Sequence, residues 1–320
     1  MAKVIVGCGA LNWDIFYLVE DLSKVFFEGL YFEPGKEYVL DRESFLNLLS
    51  KLKKEGTLVF EGGGGSSANT IYALAKLSFK TAFLGAVGED PFGARALREL
   101  ESIGVCTKRV RRQGETSLAL IMLDSKRDRT IVVSPGTAES ALFFEREDLF
   151  SSSLYHFSSF ASPEGVLFQR ELLLNLKSKI SIDPGEIYSK QGKSFLKPFL
   201  EKTQILFITE REFRLGMLSV EEIWSWGVRY LFIKRGKEGA LGATNRLFIR
   251  SSVYPVKHVV DNTGAGDYFN AGVLAGLSLN LPMDKVVELG LYSASLSLRN
   301  YGRSGIMTPQ EFEKFLSRLK

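Results

Sequence analysis

Six short apolar runs, at residues 4–6, 81–84, 154–157, 180–182, 205–208 and 230–233, alternate with helical patterns at 66–77, 91–103, 163–176 and 195–201. This alternation constrains the fold more than any other feature of the chain. Runs of Val, Ile, Leu and Phe without polar alternation suit strands buried on both faces. The segments between them are long enough to hold crossover helices. The expected fold is α/β, a mainly parallel sheet covered by helices on both faces. The last third reads as helical, at 267–279, 283–298 and 309–319. With 320 residues and no repeat or low-complexity linker, the chain is read as one domain over 1–320.

Two regions break the rhythm. Between Asp14 and Gly62 lies a segment rich in aromatics: Phe16, Tyr17, Phe26, Phe27, Tyr31, Phe32 and Tyr38. Strand-like stretches at 117–123 and 130–133 flank a polar turn at 124–129, a hairpin signal. Together these segments, roughly 14–42 and 108–135, are expected to form a small β lid over one end of the sheet. The aromatics suit a satellite core, a dimer surface or a face that stacks on a ligand. The basic cluster Lys108-Arg-Val-Arg-Arg112 and the run Lys51-Leu-Lys-Lys-Glu55 read as solvated surface.

Composition narrows the function classes. Net charge is only +4, from 41 basic and 37 acidic residues, which does not favour a nucleic-acid partner. Cys8 and Cys106 are the only cysteines, so a disulfide framework is not expected and a reducing, cytoplasmic setting is. His156 and His258 are the only histidines, and no Cys/His metal cluster is visible. The N-terminal residues read as a first strand rather than a signal peptide. No apolar run approaches the ~20 residues of a membrane span.

The chemistry concentrates in glycine-rich stretches. Asp261-Asn-Thr-Gly-Ala-Gly-Asp267 leads into an apolar helical run. Small residues let backbone N–H groups approach a ligand, and a helix start offers unpaired donors and partial positive charge. That combination makes an anion site. Asp267 beside it suits a base facing a hydroxyl, or a plain helix cap. Gly62-Gly-Gly-Gly-Ser-Ser-Ala-Asn69 reads as a ligand-approaching or simply flexible turn before a helix. Gly63, Gly64 and Asn69 are its candidate binding residues. After the first strand, Asn12 and Asp14 share a face of an extended chain and suit bidentate bonding to sugar hydroxyls. Neither a G-x-G-x-x-G fingerprint nor a Walker P-loop is present, since Asn12 stands where the third glycine of the former belongs. In Thr209-Glu-Arg-Glu212 the carboxylates suit either Mg²⁺ or the helix dipole. Lys234-Arg-Gly-Lys-Glu-Gly-Ala240 is a tight glycine turn or a plain hairpin.

In order along the whole chain, these pieces resemble the ribokinase, or pfkB, family of carbohydrate kinases. Asp261–Gly276 carries the specific signature, D-[TN]-T-G-A-G-D-x-F-x-A-G, and Gly62–Asn69 a looser one. Gly88-Glu-Asp-Pro-Phe-Gly93 resembles the family's V-G-x-D-x-x-G segment. Thr209 stands where the family's N-x-x-E has Asn, while Glu212 is kept. The resemblance implies a three-layer αβα sandwich with a β lid. It implies transfer of the γ-phosphate of ATP to a primary hydroxyl, with Asp267 as base and the N–H groups of Gly264, Ala265 and Gly266 as anion hole. Asn12, Asp14, Gly63, Gly64 and Asn69 would bind substrate. Lys234, Gly236, Gly239, Thr263 and Gly264 would bind ATP. Glu212 would hold Mg²⁺ through water, and Asp261 with Thr263 would lie near a monovalent cation such as K⁺. A ribose-containing sugar or nucleoside is the favoured substrate, ahead of fructose-like or keto-acid sugars. The resemblance also allows a homodimer clasped through the lid. A non-catalytic binding or regulatory relative is the alternative, against which the retained Asp267 stands.

Overall fold

The structure, a computed structural model, describes residues 4–124, 129–150 and 154–319. Its large sheet has nine strands, in the spatial order Phe248–Ser251, Ala240–Ala243, Tyr230–Lys234, Ile205–Thr209, Lys179–Asp183, Leu154–Ser158, Ile5–Cys8, Thr81–Val87 and Cys106–Arg112. Neighbours are parallel from Tyr230–Lys234 to Cys106–Arg112. The two hairpin strands at the other end are antiparallel. All six sequence-predicted strands lie in this sheet.

The apolar runs are buried on both faces because successive residues point to opposite sides. Ile5, Phe83, Phe207 and Phe232 face one core, shared with Ile71, Leu74, Phe269, Val273 and Val286. The helices Ser66–Lys76, Ala265–Ser278 and Met283–Ser297 supply those partners. Val6, Leu84, Phe157 and Leu206 face the opposite core, shared with Phe168, Leu172 and Phe199. These come from the helices Pro163–Asn175 and Lys193–Leu200. The three expected layers follow.

A separate five-stranded sheet, ordered Glu37–Val39, Arg129–Ser134, Ser117–Leu123, Asn12–Leu18 and Thr57–Gly64, forms the lid. The hairpin of Ser117–Leu123 with Arg129–Ser134 is present; residues 125–128 of its expected turn lie outside the described residues. Two expectations need correction. Cys106–Arg112 belongs to the large sheet, not to the lid, so the second lid segment begins near Ser117. Its Lys and Arg residues are the charges that blunt an edge strand. Gly62, Gly63 and Gly64 are not a flexible turn, because they extend the strand Thr57–Gly64.

The aromatics divide by role. Phe16, Tyr17 and Phe32 are buried. Phe26 and Tyr31 pack on each other at 4.8 Å across the two-stranded hairpin of Phe26–Phe27 and Leu30–Tyr31. Asp90 ties lid to sheet. Its carboxylate caps the helix Pro91–Ser102 by accepting the Gly93 N–H at 2.8 Å, and it also accepts the Thr116 N–H at 2.7 Å, just before the lid strand. That explains the V-G-x-D-x-x-G segment as a structural clasp.

Candidate active site

Between the carboxyl ends of the parallel strands and the inner face of the lid lies a cavity of about 250 Å³. This is where open α/β sheets hold ligands. Ala10, Asn12 and Asp14 enter it just beyond Ile5–Cys8, and Ser158 and Ser159 at the end of Leu154–Ser158. Ala119, Ile121, Ile131 and Val133 of the lid face it with aliphatic side chains. Gly65, Ser66 and Asn69 meet Thr263, Gly264 and Asp267 along the remaining wall. No aromatic side chain lines the cavity among the described residues, so stacking on a base by the 16–38 aromatics is not supported.

Asp267 lies in the first turn of Ala265–Ser278, a helix whose N-cap, Gly264, is left-handed with φ 73°. A left-handed residue there is cheap only for glycine. Ala265 and Gly266 follow as the first helical residues, where N–H groups have no intrahelical acceptor. Ala265 N–H makes only a long 3.4 Å bond to the Asn262 carbonyl. The Asp267 carboxylate is held from both sides: Ser66 Oγ donates to Oδ1 at 2.7 Å, and Asn69 Nδ2 donates to Oδ2 at 2.9 Å. Thr70 Oγ1 donates to its backbone carbonyl at 3.0 Å. Burial pushes this carboxyl up to about 6, against the downward pull of Asn69 and Ser66. A carboxylate near 6 is a competent base at neutral pH.

Asn12 and Asp14 project from one face of Asn12–Leu18, paired with Thr57–Gly64. Burial lifts the Asp14 carboxyl to about 7, with Arg303 opposing. Gly63 and Gly64 do not line the cavity. Their role is space. A Cβ on Gly64 would enter the Asp14 carboxylate, and one on Gly63 would meet the guanidinium of Arg303 and the carboxylate of Glu99 at 2.8 Å.

The anion-side residues are arranged in a second ring. Thr263 lines the cavity. Asp261 closes the loop, accepting the Thr263 N–H at 2.8 Å and the Gly302 N–H at 3.3 Å. Arg129 of the lid donates to Asn262 Oδ1 at 2.7 Å and Thr263 Oγ1 at 3.2 Å. Lys234 pairs with buried Asp183, which also accepts from Asn270 Nδ2 at 2.7 Å. Its ammonium lies against Gly266, where a Cβ would sit 3.3 Å away. Burial pushes the Lys234 ammonium down, but Asp183 and Glu212 outweigh it and hold it up. Glu212 and Thr209 form a reciprocal capping box, with Thr209 N–H bonded to Oε2 at 2.7 Å. Burial, then Asp183, raises its carboxyl. Thr209 therefore serves as the cap of the helix Glu210–Leu215. Gly236 and Gly239, at φ 55° and 90°, shape the hairpin turn after Lys234 and do not line the cavity.

Ser66, Arg129, Asp183, Asn270 and Arg303 escaped the sequence reading as site residues. Ser66 and Asp183 sit inside or beside recognisable segments. Arg129 and Arg303 carry no local signal, and only the fold brings them to the site.

Residues 41–310 match the model of the pfkB family carbohydrate kinases. An uncharacterized sugar kinase of Archaeoglobus fulgidus is 30% identical over 246 residues, covering 73% of this chain and 97% of that protein. A fructokinase of Salmonella typhimurium is 31% identical over 259 residues, covering 72% and 82%. A putative ribokinase II of E. coli, solved in complex with ATP and Mg²⁺, superposes with a TM-score of 0.78 at 20% identity, covering 99% of this chain and all of that one. The fold and the family match define a carbohydrate kinase, a phosphotransferase with an alcohol acceptor. The chain belongs to the pfkB family.

Proposed function

We propose that the chain transfers the γ-phosphate of ATP to a primary hydroxyl of a neutral sugar or nucleoside. The observation that carries this reading is Asp267, a carboxylate fixed by Ser66 and Asn69 at a helix N-terminus and open to the cavity. Asn12 and Asp14 orient the acceptor through its hydroxyls. Asp267 takes the hydroxyl proton as that oxygen forms its bond to phosphorus. The bond from phosphorus to the β,γ-bridging oxygen breaks, and ADP leaves. Phosphoryl transfer is mostly positioning and charge stabilisation. Ala265 and Gly266 N–H groups, with Lys234 behind Gly266 and Arg129 beside Thr263, supply positive potential there.

Mg²⁺ neutralises phosphate charge when bound. Among the described residues no group of three or more His, Cys, Asp or Glu is placed to hold a metal. Mg²⁺ at a phosphoryl-transfer site takes most of its ligands from phosphates and water. Glu212 and Asp183 would hold it from the protein side. With both Asp261 oxygens accepting backbone N–H groups, that carboxylate organises the loop whether or not K⁺ binds near it.

Among the described residues, the charged side chains lining the cavity are Asp14, Glu37, Glu186 and Asp267, all acidic. This lining disfavours an anionic acceptor, whether a sugar phosphate or the keto-acid alternative. A free sugar fits the mixed wall of Asn12, Asp14, Ser158 and Ser159, and likeness to a fructokinase supports it. The aliphatic lid face favours a second reading, a ribose-bearing nucleoside with its base under Ile121, Ile131 and Val133. ADP release across ribose, fructose, nucleosides, a sugar acid and a sugar phosphate tests the class. Turnover is expected with a neutral acceptor at least tenfold above either anion. Equal or better turnover with an anion would overturn the assignment.

A further inference from the structure

Arg303 is 6% exposed, in the turn Gly302–Gly305 between two C-terminal helices, and it has no place in the mechanism above. A buried guanidinium is costly unless its donors find partners. Here Nε donates to Asn69 Oδ1 at 3.0 Å, Nη1 to Glu99 Oε2 at 3.2 Å and Nη2 to the Gly64 carbonyl at 3.4 Å. Its Cζ lies over the Tyr72 ring, 4.8 Å from the ring centroid. Gly63 leaves the space that the group occupies.

A guanidinium only donates. It therefore forces the Asn69 amide oxygen toward itself and the amino group toward Asp267, where Nδ2 donates at 2.9 Å. The Asp267 carboxylate only accepts and selects the same orientation, so the two neighbours hold the amide from both ends; without Arg303 its oxygen loses an ordered donor and the carboxylate alone holds it. Glu99, Arg303, Asn69 and Asp267 thus form one chain of hydrogen bonds, from helix Pro91–Ser102 to the attacking site.

We propose that Arg303 is a positioning residue: with Glu99 as counter-ion it locks the Asn69 amide so that its amino group holds the Asp267 carboxylate in line for attack. The inference rests on the kinase reading for its kinetic consequence, but not for its structural one. Other charges also face Asp267, namely Asp183 and Lys234 from the large sheet, Arg129 from the lid and Asp14 from the strand beneath it. The hydrogen bonds of the Asn69 amide run instead to Asp267 and Arg303.

The test is Arg303→Met, alone and combined with Asn69→Leu. In the full-length protein without substrate, the ¹³C titration of the Asp267 carboxyl is expected to move to higher pH in Arg303→Met, because an ordered donor to the charged form is lost. Asn69→Leu should move it equally, and the double variant no further. In turnover, Arg303→Met should lose on the order of 10²-fold in kcat from misplacement, with KM for ATP near the parent value. Glu99→Gln is the milder variant if Arg303→Met does not fold, and should shift the titration in the same direction. An unmoved Asp267 titration in a folded variant, or additive shifts in the double variant, would overturn the proposal. A wild-type protein that turns over no acceptor would instead overturn the kinase reading, leaving the titration result to stand.

Discussion

At the residue scale, the site is a pair of lifted carboxyls. Asp267 lies near 6 and Asp14 near 7, both chiefly through burial. A raised carboxyl keeps its proton to higher pH, so base form is gained as pH rises through the folded value. kcat should fall below a midpoint near pH 6, and kcat/KM for the acceptor should climb further between 6 and 7 as Asp14 ionises. A pH–rate profile flat from 5 to 8 would contradict both assignments. Asp267, Asn12, Asp14 and Asn69 were legible because residue type and spacing already carried their chemistry. Glu212 was half legible: its spacing from Thr209 states a capping box as clearly as a metal site, and the structure contains the box. Arg303 was not legible at all, since its partner Asn69 lies 234 positions away.

At the element scale, the glycine run is the clearest case of chemistry hidden by composition. Four successive glycines read as a ligand-approaching or flexible turn, yet three of them finish a strand in the lid sheet. They lack side chains because Phe60, Asp14, Arg303 and Glu99 occupy that space. Sequence alone cannot show what fills the volume beside a glycine. Gly64→Ala should displace the Asp14 carboxylate, cost about 1–3 kcal/mol of stability and raise KM for the acceptor while leaving KM for ATP. A denaturant melt with paired KM measurements checks this; an unchanged acceptor KM would mean Asp14 does not bind it. Helix termini, by contrast, were readable to within a few residues. Pro91 and Pro309 occupy first helical positions, and Asp90 and Thr308 cap them.

At the scale of the whole molecule, strand–helix alternation was enough to read the parallel sheet, because both faces had to be apolar. The lid was harder. Its strands come from four separated stretches, and pairing of Asn12–Leu18 with Ser117–Leu123, far apart in the chain, leaves no local trace. The basic segment Cys106–Arg112 misled for a related reason: an edge strand of a buried sheet looks polar on its outer side. Lid and sheet together enclose the cavity, and every role assigned to it converges on one carboxylate. The most direct test is therefore acceptor-dependent ADP release by wild type and Asp267→Asn, at pH 8 and with matched melting temperatures. The variant should stay folded and lose on the order of 10²–10⁴-fold in kcat. Near-normal kcat in a folded Asp267→Asn protein would contradict the account.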